Sequence, residues 1–315
     1  MKVLPSKLSA LAAVVLSLSV TSALALPAVA LPAGNIQLSD DSAEYLIKDA
    51  GNSNPLNVGT IEVNDRLRGI FDINKVQRTP DPSFALGAAA TNELTGIFEI
   101  TVTSKIGFGS PTSFGGTCLS AFCYTFGTSA SFATEMGLLG FGSTSGAMVA
   151  LFEDINGNDF NRASGTIATM EANATDGNPF WLAGLSLATD FWIATSDTDN
   201  LTTANFAAQG TPFGQFAMGL SLLDNPFGPG LNKVTCTNKL ALPGSPFTAT
   251  NQTSVCANGG LFAKGPVGDS GSVETAYDSL DDVNFNVNVI PEPSSIALLG
   301  LALLGLGVTS RRRKV

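Results

Sequence analysis

Val283-Asn284-Phe285-Asn286-Val287-Asn288-Val289 alternates without a fault between apolar side chains and asparagines. A period of two places the apolar residues on one face and the amides on the other, the pattern of a half-buried β-strand. Gln215 to Leu222 repeats the pattern, with Phe216, Met218, Leu220 and Leu222 on one side. Phe98, Ile100 and Val102 alternate with Ile97, Glu99 and Thr101. There is also an internal echo. Leu67-Arg68-Gly69-Ile70-Phe71-Asp72-Ile73 matches Leu94-Thr95-Gly96-Ile97-Phe98-Glu99-Ile100 at five of seven positions, and a sixth is acidic in both. Two copies are too few for a solenoid. The echo predicts two equivalent strands, neighbours in one sheet and joined through Pro80-Asp81-Pro82, or else a convergence of strand composition. Periodicity does not decide between helix and strand for Phe180 to Ala194 or Ala130 to Leu139. Asn225 to Gly230 and Pro243 to Gly260, rich in Pro, Gly and Asn, read as surface loops. Short strands separated by turn signals, with no linker to divide them, predict an all-β, antiparallel β-sandwich-like body with few short helices.

Both ends of the chain break this pattern. Lys2 and Lys7 precede an uncharged apolar stretch from Leu8 to Leu26, and two small-x-small sites, Ala23-Leu24-Ala25 and Ala28-Val29-Ala30, follow or close it. This is the layout of a secretory signal peptide, residues 1–25, with an alternative cleavage after residue 30. At the other end Pro291-Glu292-Pro293 is followed by 17 uncharged residues, Ser294 to Ser310, and then Arg311-Arg312-Arg313-Lys314. As a transmembrane helix that run would span about 25 Å of a hydrocarbon core of about 30 Å. The arginines reach the headgroups to make up the rest and stay on the cytoplasmic side. The expected organisation is a signal peptide at 1–25, a secreted β-rich body at 26–290, and a sorting and anchor signal at 291–315.

Pro291, Glu292 and Pro293, an apolar helix, and Arg311, Arg312 and Arg313 at the terminus resemble the PEP-CTERM sorting signal of Gram-negative bacteria that make extracellular polysaccharide. The resemblance covers about 25 residues and does not reach the body. It implies an exosortase, a membrane transpeptidase, as a partner that cuts near the motif. It also implies transient anchoring in the inner membrane through the C-terminal helix, and delivery to the cell surface or the exopolysaccharide matrix. The Leu-Pro-x-Thr-Gly pentapeptide of sortase substrates is absent, and GPI signals lack the basic stop.

Residues 26–290 carry 10 cationic and 25 anionic side chains, a net charge of −15, and no cation falls between Ala163 and Asn232. Binding nucleic acid through its phosphates needs clustered Lys and Arg, so that partner is excluded. The four cysteines form an even set in an exported chain. Cys118 with Cys123, and Cys236 with Cys256, is the simplest of the three possible connectivities. The longer loop contributes about 3 kcal/mol and the shorter about 2 on a chain-entropy estimate.

The chain contains no histidine. That removes Ser-His-Asp and Cys-His catalysis and His-ligated zinc. Gly268-Asp269-Ser270-Gly271-Ser272 therefore reads as a loop, despite its likeness to a serine-protease nucleophile motif. A glycosidase needs two carboxylates flanking a sugar bond. No spacing singles out a pair from Glu135, Glu153 and Glu171, and only two Trp are present to stack sugars. Asp154, Asn156 and Asn158 are spaced like the start of an EF-hand loop. The pattern departs at Asp159, where Gly belongs, and at Gly165, where the bidentate Glu belongs. The segment reads as an Asx-rich β-turn, or else as a turn that holds calcium at millimolar levels through Asp154, Asn156 and Asn158; Asp197-Thr198-Asp199-Asn200 is a weaker case. No other cofactor is expected.

The leading expectation is a non-enzymatic structural or adhesive protein of the surface or matrix, associated with exopolysaccharide or biofilm. The alternatives are a carbohydrate- or calcium-binding module of the matrix, and a secreted carboxylate-dependent hydrolase.

Overall fold

The structure, a computed structural model, describes residues 29, 31–52, 59–78, 84–85, 92–112, 117–138, 140–155, 160, 162, 165–201, 213–236, 252–263 and 279–291. The long strands are β1 (Gly34–Ile47), β2 (Arg66–Arg78), β4 (Glu93–Gly107), β5 (Phe122–Thr128), β6 (Ala147–Asp154), β7 (Asn178–Gly184), β8 (Phe191–Ser196), β9 (Gly214–Asp224), β13 (Val255–Ala263) and β14 (Ser279–Val289). Two-residue strands are β3 (Phe84–Ala85), β10 (Leu231–Asn232), β11 (Val234–Thr235) and β12 (Gln252–Thr253). The helices are α1 (Phe132–Glu135) and α2 (Ile167–Thr175).

The body is all-β and antiparallel, as the alternation predicts, but it is not a sandwich. One sheet curls and closes on itself, in the order β1-β2-β4-β6-β7-β9-β13-β14 and back to β1. Closure depends on β4 and β9, which each take two partners along one edge. β4 pairs with β6 over Glu93–Phe98 and with β5 over Ile100–Gly107. β9 pairs with β8 over Gly214–Gly219 and with β7 over Ser221–Asp224. The β6–β7 pair bridges β4 to β9 at one end of the barrel, and the β5–β8 pair bridges them at the other. Eight strands therefore surround the axis at either end. Bulges at Ser39/Asp40, Val102/Ser104 and Leu151/Phe152 supply the coiling that closure requires.

The pleat sorts residues between two cores. Inward side chains such as Leu38, Phe71, Phe98, Trp192, Met218 and Phe285 fill the barrel. Outward residues of β1, β2, β4, β6 and β7, among them Ala43, Ile70, Ile97, Ala150 and Leu182, form a second core under the helices. Phe132 of α1 and Met170 and Ala174 of α2 pack there. Thr166 caps α2 by accepting a hydrogen bond from the Thr169 amide, and the Thr95 hydroxyl bonds to the Ala174 carbonyl.

The echo segments are neighbours: they pair with each other about a local two-fold axis, with Ile70 opposite Ile97, Gly69 opposite Phe98 and Phe71 opposite Gly96. Each phenyl ring lies over the partner's glycine, where a Cβ would collide with the ring. Phe191 covers Gly219 in the same way. The aromatic ring fills the place of the missing side chain and shields the backbone.

Three segments differ from or complete the sequence reading. Pro243 to Gly260 is not wholly loop, because it contains β12 and the first part of β13. β13 lacks apolar alternation because its neighbours supply the bulk: Gly259 lies opposite both Phe216 and Val283. Phe180 to Ala194 divides between β7 and β8, and Ala130 to Leu139 holds a single helical turn.

Candidate functional site

Strand β14 carries the chain out of the barrel. Val283, Phe285, Val287 and Val289 point inward and are buried. Val289 is paired with Gly34 on one side and Leu231 on the other, and the Ile290 amide donates to the Gly230 carbonyl at 2.8 Å. Pro291 follows and is exposed. The Pro291-Glu292-Pro293 tripeptide thus begins two residues after Val289, the last residue of a paired strand. Glu292, Pro293, Arg311, Arg312 and Arg313 lie outside the described residues, as does the apolar run at 294–310. Among the described residues no helix is long and apolar enough to cross a membrane.

Toward the Pro291 end, the outer face of β14 and its neighbours is a grid of neutral amides; beyond it the same face passes to Asp41 of β1 and Asp72 of β2, which lie opposite each other. Asn35 of β1, Asn288 of β14 and Asn232 of β10 form one row across the strands. Gln77 of β2, Gln37 of β1 and Asn286 of β14 form the next. Ser39, Asn284 and Asn258 form the third, with Lys75 of β2 at its margin. Hydrogen bonds run across the strands: Ser39 Oγ to Asn284 Oδ1 at 2.8 Å, Asn288 Nδ2 to Asn35 Oδ1 at 2.7 Å, and Asn232 Nδ2 to Asn288 Oδ1 at 3.1 Å.

A charged cluster lies farther along the outer face of β1, β2 and β4, between the barrel wall and the helices. Glu99, fully buried on the outer face of β4, receives Arg66 at 2.9 Å and Arg68 of β2. Both arginines also reach Glu135 of α1, and Arg68 extends to Glu171 of α2 at 3.7 Å. Tyr45 donates to Glu171 Oε1 at 2.8 Å. Burial pushes the Tyr45 hydroxyl up, and the neighbouring Glu171 carboxylate adds to the shift. Burial also opposes the charge on Arg68, but its bond to Glu135 and the charge of Glu99 outweigh it and raise the guanidinium. Glu135 and Glu171, two of the glycosidase candidates, are therefore brought together around arginines and tie the helices to the wall. Glu153, the third, is buried at the end of the barrel where the chain enters, and accepts the Val29 amide at 3.1 Å.

At the far end of the barrel, 59–65 and 197–201 cross the mouth, linked by the Thr60–Asn200 bridge. Lys105 pins both, to Glu62 at 2.9 Å and Asp199 at 2.8 Å. Asp199, part of the weaker calcium candidate, is thus engaged by a lysine. Beneath the crossing lies a small, mainly apolar cavity of about 40 Å³. It is lined by Ile61, Phe98, Phe126, Trp192 and Phe216, with Glu44 as its carboxylate.

The remaining sequence candidates fall as follows. Cys118 is bonded to Cys123, and Cys236 to Cys256. Asp154 ends β6 opposite Glu93; Asn156, Asn158 and Ser270 lie outside the described residues. No group of three or more Asp, Glu or Cys side chains among the described residues is arranged to hold a metal ion. Sequence reasoning did not foresee the arginine–glutamate cluster. The register that joins Arg68 to Glu99 is a tertiary fact, although the charged positions inside the two echo segments were a usable signal.

Residues 289–314 match the model of the PEP-CTERM protein-sorting motif. The match overlaps the final residue of β14. It marks an exported chain, held transiently in the membrane and sorted to the cell surface by an exosortase. No curated protein and no solved structure matches the chain.

Proposed function

We propose that this protein is structural or adhesive material of the cell surface or extracellular matrix, associated with exopolysaccharide or biofilm and without enzymatic activity. The junction of fold and signal carries the reading. Only Ile290 lies between the last barrel strand and Pro291, and the matched sorting motif begins within the strand at Val289, so the cargo handled by the exosortase is the barrel itself. A closed barrel suits a long-lived extracellular component: among the described residues each of its eight strands is paired on both sides, which leaves little template for uncontrolled pairing. The described Arg–Glu and Lys–Asp clusters are engaged in joining helices and loops to the barrel wall, which supports a structural role for them.

The test is deposition. Mass spectrometry of the surface-released protein should find no peptide from Ile296 to Val308. A chain ending at Ile290 should be exported but fail to accumulate at the surface. Equal surface accumulation without the signal, or turnover of the producing organism's polysaccharide by the purified protein, overturns the reading.

A further inference from the structure

We propose that the amide grid on β1, β14 and their flanking strands binds an uncharged polysaccharide. This rests on the surface or matrix reading above and names the surface that makes the contact. Asn is a poor strand former, and a strand needs only water-compatible side chains on its solvent face. Three rows of Asn, Gln and Ser in register, free of carboxylates at the named positions, are therefore a departure from local preference. Departures of that kind concentrate where function outweighs propensity.

The chemistry narrows the partner. A carboxamide both donates and accepts hydrogen bonds and carries no charge. Its natural complement is a polymer of hydroxyls, which do the same. A β-sheet repeats its side chains at about 4.8 Å across strands and about 6.8 Å along them, so the partner must itself be periodic. The cross-strand bonds of Ser39, Asn288 and Asn232 hold the amides in place before any ligand arrives. That lowers the side-chain ordering cost of binding. They use only part of each amide's capacity, which leaves donors and acceptors facing outward.

Charge excludes the other polymers. A body of net charge −15 repels polyanions, including acidic polysaccharides and nucleic acids, and Lys75 alone at the margin of the grid does not reverse this. A protein partner of the usual kind would need aromatic or arginine anchors, which the grid does not contain.

The experiment is affinity electrophoresis of the exported protein in native gels containing hydroxyethylcellulose, dextran or polygalacturonate. The controls are a polysaccharide-free gel and surface display of the same variants on cells. The wild type should be retarded by at least one of the two neutral polymers and not by polygalacturonate. The double variant Gln37→Ala/Asn286→Ala should lose at least five-fold of that retardation while its melting temperature stays within a few degrees. Asn284→Asp/Asn286→Asp should lose it as well. Retardation by polygalacturonate alone, absence of retardation, or undiminished retardation of folded variants overturns the proposal. So does a wild-type dimer that the variants convert to monomer, which would assign the grid to a second copy of this chain. If surface display persists while retardation fails, the amide-grid proposal falls alone. If display itself fails for the wild type, the surface reading falls with it.

Discussion

At the scale of single residues, burial and charge decide more than exposure to ligand. Glu99 is fully buried and answers two arginines. Removing its charge while keeping its shape leaves both cations without their fully buried partner in a place where water reaches poorly. Breaking a buried pair from one side typically costs about 3–5 kcal/mol. Glu99→Gln is expected to lose stability of that order in denaturant unfolding, while Glu135→Gln, whose side chain is 40% exposed, loses much less. Asp72 has the opposite character. Burial pushes its carboxyl up to about 6; Arg162 pulls it down, and the charges of Asp41 and Glu93 push it further up. The folded state then holds a proton that the unfolded state has already released. Stability contributed at this site is constant below about pH 4, falls between about pH 4 and 6, and stays low above that. Asp72→Asn should therefore be more stable than wild type at pH 7, by about 1–3 kcal/mol from a shift of about two units. The difference should vanish near pH 4. A difference independent of pH would locate the effect in packing instead.

At the scale of elements, the β2–β4 pair shows what the echo is for. Two copies of one heptad meet antiparallel and exchange phenyl rings across each other's glycines. Neither glycine is there for turn geometry; both make room. A methyl group on Gly96 would meet the Phe71 ring and also lie 2.7 Å from the Ala150 carbonyl, which belongs to the backbone and cannot swing away. Gly96→Ala is expected to cost about 1–3 kcal/mol, the usual range for overpacking. The paired variant Gly96→Ala/Phe71→Leu should recover part of it. If the double variant is only as stable as the sum of two independent losses predicts, the ring-over-glycine contact is not the reason for the glycine. The element that enters the barrel offers a second test. Val29 is 3% exposed and its amide donates to buried Glu153. Cleavage after residue 30 would remove this residue from its seat, whereas cleavage after residue 25 keeps it. N-terminal sequencing of the exported protein should therefore read Leu26 first; a chain starting at Leu31 would show that the barrel dispenses with Val29.

At the scale of the whole molecule, the chain enters and leaves the barrel at the same end. Gly34, at the start of β1, pairs with Val289, at the end of β14. The attachment to the C-terminal signal is therefore at that end, and the Lys105 crossing is at the other. Only Ile290 separates the strand from Pro291, so an exosortase cutting close to Pro291 would work against the wall of the barrel. A flexible insertion of about six residues, roughly 20 Å when extended, between Ile290 and Pro291 should speed processing in a pulse-chase measurement. Unchanged kinetics would mean that the enzyme cuts far enough from the barrel not to feel it.

Much of this was legible in the residues themselves. Strand period is a local property, because successive side chains alternate across the pleat whatever the partner strand is. Val283 to Val289 and Gln215 to Leu222 therefore announce their buried faces, and the heptad echo announces two like strands. The sorting motif is local too, a string of residues in order. The pairing of cysteines five and twenty residues apart follows the same logic of short separation. What needed the tertiary structure was everything set by strands meeting across long separations. Whether alternating strands make two facing sheets or one closed barrel depends on β4 and β9 each taking two partners, and on the bulges that coil the sheet, neither of which has a local signature. β13 hid as a loop because its neighbours' side chains fill its level of the core. The amide grid existed in sequence as one row of three asparagines. It became a surface only when β1, β2, β10 and β13 were brought beside β14 in register, because hydrogen-bonded pairing, not chain order, decides which side chains share a face.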